Sequence, residues 1–234
     1  AAEKPAKLIS TLIERNWLGN KTKVGFYKEV RDADGKKEFY SLDLKTLEHV
    51  APTKPRFDSV KAAKDVPELG DRLKVMLEEP ADDKAAALVK AFTYQAFQYA
   101  STIIPEVADS AKPIDDAVRW GFMHEAGPFE TWDMLGVGET VEKMKANGYP
   151  AADWVVEMLK AGIETFYEYR GARKVGVYDV SQRKYVKIET TPGLIFLNEL
   201  KEGKKVISSN AGATLYDTGD GVALVEFHTK MNAL

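Results

Sequence analysis

Residues 119–138 read RWGFMHEAGPFETWDMLGVG, with the punctuation of short helices meeting at a corner. Gly127-Pro128 forms the turn: proline presets φ, and at the start of a helix its missing N–H costs nothing. Glu130 favours the positive end of the helix dipole, Phe129 and Trp132 can insert on one face, and Gly136 releases the chain. The stretch also holds His124, one of three histidines, beside Glu125. Adjacent residues point in different directions on a helix or strand, so adjacency alone does not make them a base and its orienting carboxylate. His124 therefore reads as a surface or satisfied interfacial histidine. The "GVG" at 136–138 lacks the third glycine and preceding strand of a dinucleotide loop, and no P-loop or G-x-S-x-G elbow occurs elsewhere.

Outward from this corner the pattern stays helical. Leu8, Ile9, Leu12 and Ile13 predict a first helix that ends before Gly19. VGFYKEVRDADGKKEFYSLDL then reads as a hairpin turning at Asp34-Gly35. Three prolines in 51–67 and little pattern suggest a linker. A helix follows Pro67, with Leu69, Leu73, Val75, Met76 and Leu77 on its apolar face. The longest regular segment is 82–104, where Ala85, Leu88, Val89, Phe92, Ala96, Tyr99, Ala100 and Ile103 trace a broad stripe. Shorter helices are expected at 113–120, 128–135, 139–146 and 151–161, punctuated by Gly121, Gly136, Gly148 and Gly162. KVGVYDVSQRKYVKIE reads as a second hairpin, a short helix is expected behind Pro192, and the end looks like two strands joined through 218–221. The fold class is mainly α, with small β-hairpin appendages.

Composition narrows the function. The 234 residues carry a net charge of −3, with no basic block for nucleic acid or an anionic membrane. No apolar run reaches the roughly 18 residues of a membrane helix, and a cytoplasmic location is expected. Without cysteine there is neither a disulfide framework nor a thiolate nucleophile. No two histidines share ligand spacing, so no metal site is expected. KVGFY at 23–27 recurs as KVGVY at 174–178, each after a predicted helix and at the opening of a predicted hairpin, which suggests a duplication. The strand pattern near the C-terminus has no partner in this reading beyond its own hairpin. The chain thus reads as a fragment cut inside a domain at both ends.

PIDDAVRWGFMHEAGPFETWDMLGVG resembles the C-terminal helical domain of bacterial 3-hydroxyacyl-CoA dehydrogenases, whose pattern is D-x-A-x-x-x-G … G-P-F-E-x-x-D-x-x-G. LIERNWLGNKTKVGFYK resembles the end of the same domain, and GDGVALVEFHTKMNAL resembles the opening of an enoyl-CoA hydratase (crotonase) domain. The resemblance implies a helical 6-phosphogluconate-dehydrogenase-C-terminal-like fold. It divides the chain into the end of a first helical domain (1–50), a linker (51–67), a second helical domain (68–190), a linker with a short helix (191–211) and the start of a hydratase (212–234). Residues 1–50 would pack on the body around 82–162 through Leu8, Leu12 and Trp17.

The implied activity is NAD-dependent oxidation of 3-hydroxyacyl-CoA in a multifunctional β-oxidation enzyme. The family's catalytic histidine and glutamate belong to a nucleotide-binding domain that this chain lacks, so no catalytic residue is assigned. The family's asparagine is also missing, since no asparagine lies between Asn20 and Asn147. Lys21 alone carries over, as the lysine that approaches bound NAD. Lys23 stands where the family has glycine, and the second copy has Ala172 at the position matched to Lys21. Expected partners are an acyl-CoA substrate and a helical packing partner or homodimer. The competing reading is a non-catalytic packing or dimerisation module.

Overall fold

Helix α1 (Lys7–Glu14) forms where the apolar residues repeat at helical spacing, and it buries Leu12. This computed structural model describes residues 7–229 except 33, 79–82, 172, 190–192 and 204. Ala172, Pro192 and the terminal Asn-Ala-Leu therefore lie outside the described residues. The chain divides into two units, 1–56 and 57–234. In the first, Gly19 (φ +79°) opens a tight turn into three antiparallel strands in the order β1 (Tyr27–Arg31), β2 (Lys37–Leu42), β3 (His49–Val50). The expected hairpin is β1–β2: Asp32 Oδ1 accepts the N–H groups of Asp34 and Lys36, and Gly35 takes φ +76°. Strand β3 has two residues, too few to leave an alternation in the sequence. Leu42 is buried, and the Trp17 and His49 rings meet at 4.8 Å.

The second unit opens with α2 (Asp58–Ala63), inside the stretch expected to be linker. Asp83 explains it. Its carboxylate accepts from Ser59 N and Oγ and also caps α4 (Lys84–Thr102) at Ala85 and Ala86. Between them α3 (Leu69–Leu77) buries Met76 and Leu77.

The long helix corrects the sequence reading most sharply. Its buried face is Ala86, Thr93, Tyr94, Phe97, Ala100 and Ser101, which shares only Ala100 with the expected stripe. Leu88, Phe92 and Tyr99 are 69%, 67% and 67% exposed. The helix is apolar around much of its circumference, so periodicity alone does not choose the inward face. Neighbouring elements choose it: Phe97 stacks on Trp132 at 4.8 Å, and Trp154 Nε1 donates to the Ser101 carbonyl (2.8 Å).

Four helices follow near the expected places: α5 (Ala111–Phe122), α6 (Pro128–Leu135), α7 (Val137–Ala146) and α8 (Asp153–Lys160). Helix α5 runs through Gly121 and stops at Met123, which takes φ +58°. A three-stranded antiparallel sheet comes next: β4 (Tyr167–Arg170), β5 (Arg173–Asp179), β6 (Lys184–Lys187). One aromatic and aliphatic core joins α4 to α8 with this sheet; Phe129, Trp132, Met144, Val155, Met158 and Phe166 have no exposed surface.

Two expectations fail here. Lys174–Tyr178 is continuous strand, whereas Lys23 lies in a turn at φ +62°, Val24 makes only isolated bridges to Gly19 and Lys28, and Gly25 bends the chain. The KVGFY/KVGVY match is therefore a coincidence of five residues. The C-terminal strands are also better provided for than expected: β7 (Val206–Ser209), in the presumed linker, pairs with β8 (Ala213–Asp217), and β8 pairs with β9 (Ala223–Phe227). Helix α9 (Leu197–Glu202) buries Leu200, and Lys201 reaches Glu226 at 2.6 Å. Among the described residues no helix is long and apolar enough to cross a membrane.

Candidate functional site

The densest polar construction lies where α5 meets α6. Asp115 is fully buried on α5. Its Oδ1 accepts the Phe129 N–H (2.9 Å), and its Oδ2 accepts the Glu130 N–H (3.0 Å) and the Tyr167 hydroxyl (2.7 Å). Two orphan donors of α6 are thus satisfied from another helix. Glu130 folds back so that Oε2 accepts the Gly127 N–H (2.7 Å), while Oε1 meets the Lys174 ammonium and Arg119 (3.4 Å). Lys174 Nζ lies 4.5 Å from the centre of the Tyr167 ring. From the same helix, Asp133 accepts the N–H groups of Phe166 (2.7 Å) and Tyr167 (3.1 Å) and the Tyr169 hydroxyl (3.1 Å).

Burial sets the electrostatics of this corner. It pushes the Asp115 carboxyl up to about 6, against the Tyr167 hydroxyl and Phe129 N–H that favour its ionised form. It pushes Asp133 up to about 7, against the Phe166 and Tyr167 N–H groups. Desolvation also draws the Lys174 ammonium down to about 8, although the Asp115 charge pulls the other way. Perturbed groups of this kind often mark catalysis. Here, however, each oxygen of Asp115 and Asp133 already holds a donor of the protein. Three donors converge on each carboxylate, in both cases two backbone amides and a tyrosine hydroxyl, and they tie α5 and α6 to each other and to β4 or its approach, so these carboxylates serve to fix the corner.

The residues singled out in the sequence do not converge. Lys21 is exposed on the turn between Gly19 and Val24, which is pinned by Gly19 N–H to Val24 O (2.9 Å) and by Leu18 N–H to Thr22 Oγ1 (2.9 Å). Lys23 occupies the left-handed conformation that glycine would take, so the departure from the family pattern leaves a glycine-type turn in place. His124 is exposed beside Phe122, and Glu125 pairs instead with Arg72 at 3.0 Å. His49 Nε2 lies 2.9 Å from the Gly25 carbonyl, and His228 Nε2 lies 2.8 Å from Thr214 Oγ1. Among the described residues no group of three acidic or imidazole side chains is placed to hold a metal ion. A shallow, open depression of about 380 Å³ runs along α5 beside Pro113, Ala117 and Trp120. Asp115 and Asp133 were present in the quoted motifs, but their task joins residues far apart in sequence, and periodicity carries no signal of that.

Comparison with known proteins adds one relative. Over 226 residues, 97% of its length, the chain is 37% identical to a protein of Bacillus subtilis (strain 168) named as a probable 3-hydroxyacyl-CoA dehydrogenase. The chain is similar to one part of that protein. It spans 27% of that relative's length. No family model matches the chain, and no solved structure matches it. The name of this relative accords with the resemblance to 3-hydroxyacyl-CoA dehydrogenases, and the mainly helical architecture with β-hairpins accords with the expected class.

Proposed function

We propose that this chain is the helical region of an NAD-dependent 3-hydroxyacyl-CoA dehydrogenase of fatty-acid β-oxidation, fused to an enoyl-CoA hydratase and located in the cytoplasm. The observation that carries the reading is the 37% identity sustained over 97% of the chain. Residues 1–50 are the end of a first helical domain, the body from 68 to 190 is a second, and the last strands open the hydratase. The parent enzyme takes an acyl-CoA substrate. NAD accepts the hydride there, and a nucleotide-binding domain outside this chain holds most of it. Lys21 suits a supporting role, since an ammonium on a pinned, exposed turn can reach a phosphate or carboxamide oxygen.

The second reading, a helical packing or dimerisation module, describes what this stretch does within the parent. It is favoured by the apolar side chains that α4 turns to solvent, Leu88, Phe92 and Tyr99. The 234-residue chain alone should show no NADH oxidation with acetoacetyl-CoA, and the longer polypeptide should show it. Turnover by the chain alone, abolished by His124→Ala, overturns the assignment. In the longer polypeptide, Lys21→Ala should raise KM for NAD with little change in kcat; an unchanged KM removes Lys21 from the site.

A further inference from the structure

Asn147-Gly148 is the one asparagine–glycine pair in the sequence; the other five asparagines precede Trp, Lys, Glu or Ala. Such a pair carries its own chemistry. The amide nitrogen after an asparagine can reach the side-chain carbonyl carbon and close a five-membered imide, and a following glycine has no Cβ to shield that nitrogen. Both residues are exposed, at the C-terminal end of α7. Water and hydroxide therefore reach them without any opening of the core.

The helix end holds the two reacting atoms apart. Asn147 sits at φ −98° and ψ 9°, which turns the Gly148 nitrogen away from the Asn147 side chain. Asn147 Nδ2 donates to the Lys143 carbonyl (2.8 Å), the Gly148 N–H to the Lys145 carbonyl (3.2 Å) and the Tyr149 N–H to the Met144 carbonyl (2.9 Å). Gly148 itself takes φ +82°, the left-handed conformation that closes many helices. Ring closure needs a rotation about ψ of Asn147, and this rotation carries the Gly148 and Tyr149 amides off their acceptors. Tyr149 resists it, because its ring meets Tyr94 edge-on at 6.3 Å and packs against the core.

We infer that Asn147 is a site of spontaneous deamidation, gated by local fraying of the capped end of α7. Hydroxide takes the Gly148 amide proton, and the nitrogen attacks Cγ of Asn147. The new C–N bond forms as the Cγ–Nδ2 bond breaks, and the leaving nitrogen takes a proton from water and departs as ammonia. Water then adds to either carbonyl carbon of the imide and opens it to aspartate or isoaspartate. Neither product has a side-chain N–H to donate to the Lys143 carbonyl. Isoaspartate also routes the main chain through Cβ, which displaces the Tyr149 N–H from Met144. None of this depends on the dehydrogenase reading.

Peptide mass spectrometry of the 234-residue chain tests it, with the chain kept folded or unfolded in urea at the same mildly alkaline pH. Asn147 should convert first among the six asparagines, with ammonia released in step. Folding should slow that conversion about tenfold or more, because two backbone hydrogen bonds must break before the ring closes. Urea too dilute to change the near-ultraviolet circular dichroism should leave the folded rate nearly unchanged, as a local opening requires. Tyr149→Ala should speed conversion several-fold with the tryptophan signal retained. Earlier conversion at another asparagine, equal rates in the folded and unfolded chain, or conversion confined to the unfolded chain each overturn the inference. So does a folded rate that climbs with urea in parallel with global unfolding, or a Tyr149→Ala rate no higher than the parent's. Asn147→Ser, which cannot form the imide, should abolish the mass change, and its persistence would place the reaction at another residue.

Discussion

Gly127→Ala should be among the most damaging single methyl additions in the protein. The backbone at Gly127 (φ −80°, ψ 175°) is open to any residue, so no conformational strain is involved. Sterics decide instead: a Cβ there would lie 2.4 Å from the Cα, Cβ and Oδ1 of Asp115, where carbon contacts prefer about 3.5–4.0 Å. Asp115 is buried and held by three donors, so α5 and the start of α6 must separate by about 1 Å or more. That separation breaks its bonds to the Phe129 and Glu130 amides, each worth about 1.5–3 kcal/mol with a charged acceptor. Restricting the unfolded chain returns about 0.4–1 kcal/mol, leaving a net loss of about 2–5 kcal/mol. Urea unfolding near neutral pH, followed by near-ultraviolet circular dichroism of the packed tryptophans, measures it. The control is Gly136→Ala: nothing lies within 4 Å of its added Cβ, and only the disfavoured backbone (φ +85°, ψ 109°) resists it, at about 1–3 kcal/mol. A loss at Gly127 no larger than that of the control would refute the reasoning.

Asp133→Ala leaves the Phe166 and Tyr167 amides and the Tyr169 hydroxyl without their acceptor, and should destabilise by about 3 kcal/mol or more; unchanged amide exchange at Phe166 and Tyr167 would contradict this. Asp115 and Asp133 titrate in the folded protein at about 6 and 7, above the unfolded value of 3.8, so only the unfolded chain ionises as pH first rises. Stability should therefore fall from about pH 4 toward 7, by up to about 1.4 kcal/mol per pH unit for each group, and level off above that. Urea midpoints across this range should flatten in Asp133→Asn, and an unaltered slope would mean that other groups set the pH dependence. Lys23→Gly, at φ +62°, should stabilise the first unit by about 1 kcal/mol; a lower thermal midpoint would show that the lysine makes a contact worth more than the strain.

The helical body was largely legible because glycine and proline mark its corners locally. Gly136, Gly148 and Gly162 all take positive φ where helices end or turn, and Pro128 begins α6. What escaped the sequence depends on distant partners. Which side of α4 faces inward is settled by Trp132 and Trp154, not by the helix's own apolar residues. Helix α2 exists through Asp83, more than twenty residues away, and β7 finds β8 within a stretch whose composition reads as connector. The candidate site followed the same rule. Lys21 could be located from a motif, whereas the roles of Asp115 and Asp133 require knowing where Phe166 and Tyr167 arrive.

Helix α6 has eight residues, too few to persist alone in water. Its first amides depend on a carboxylate from the preceding helix, and its own Asp133 is engaged only once β4 has formed. Neither end can be completed by local events. The α5–α6–β4 assembly is therefore all-or-none, a single cooperative unit in which partial opening of one segment removes the stabilisation of the other two. Mutations at this corner should consequently act on the whole body at once, with no stable intermediate in which α6 survives its neighbours.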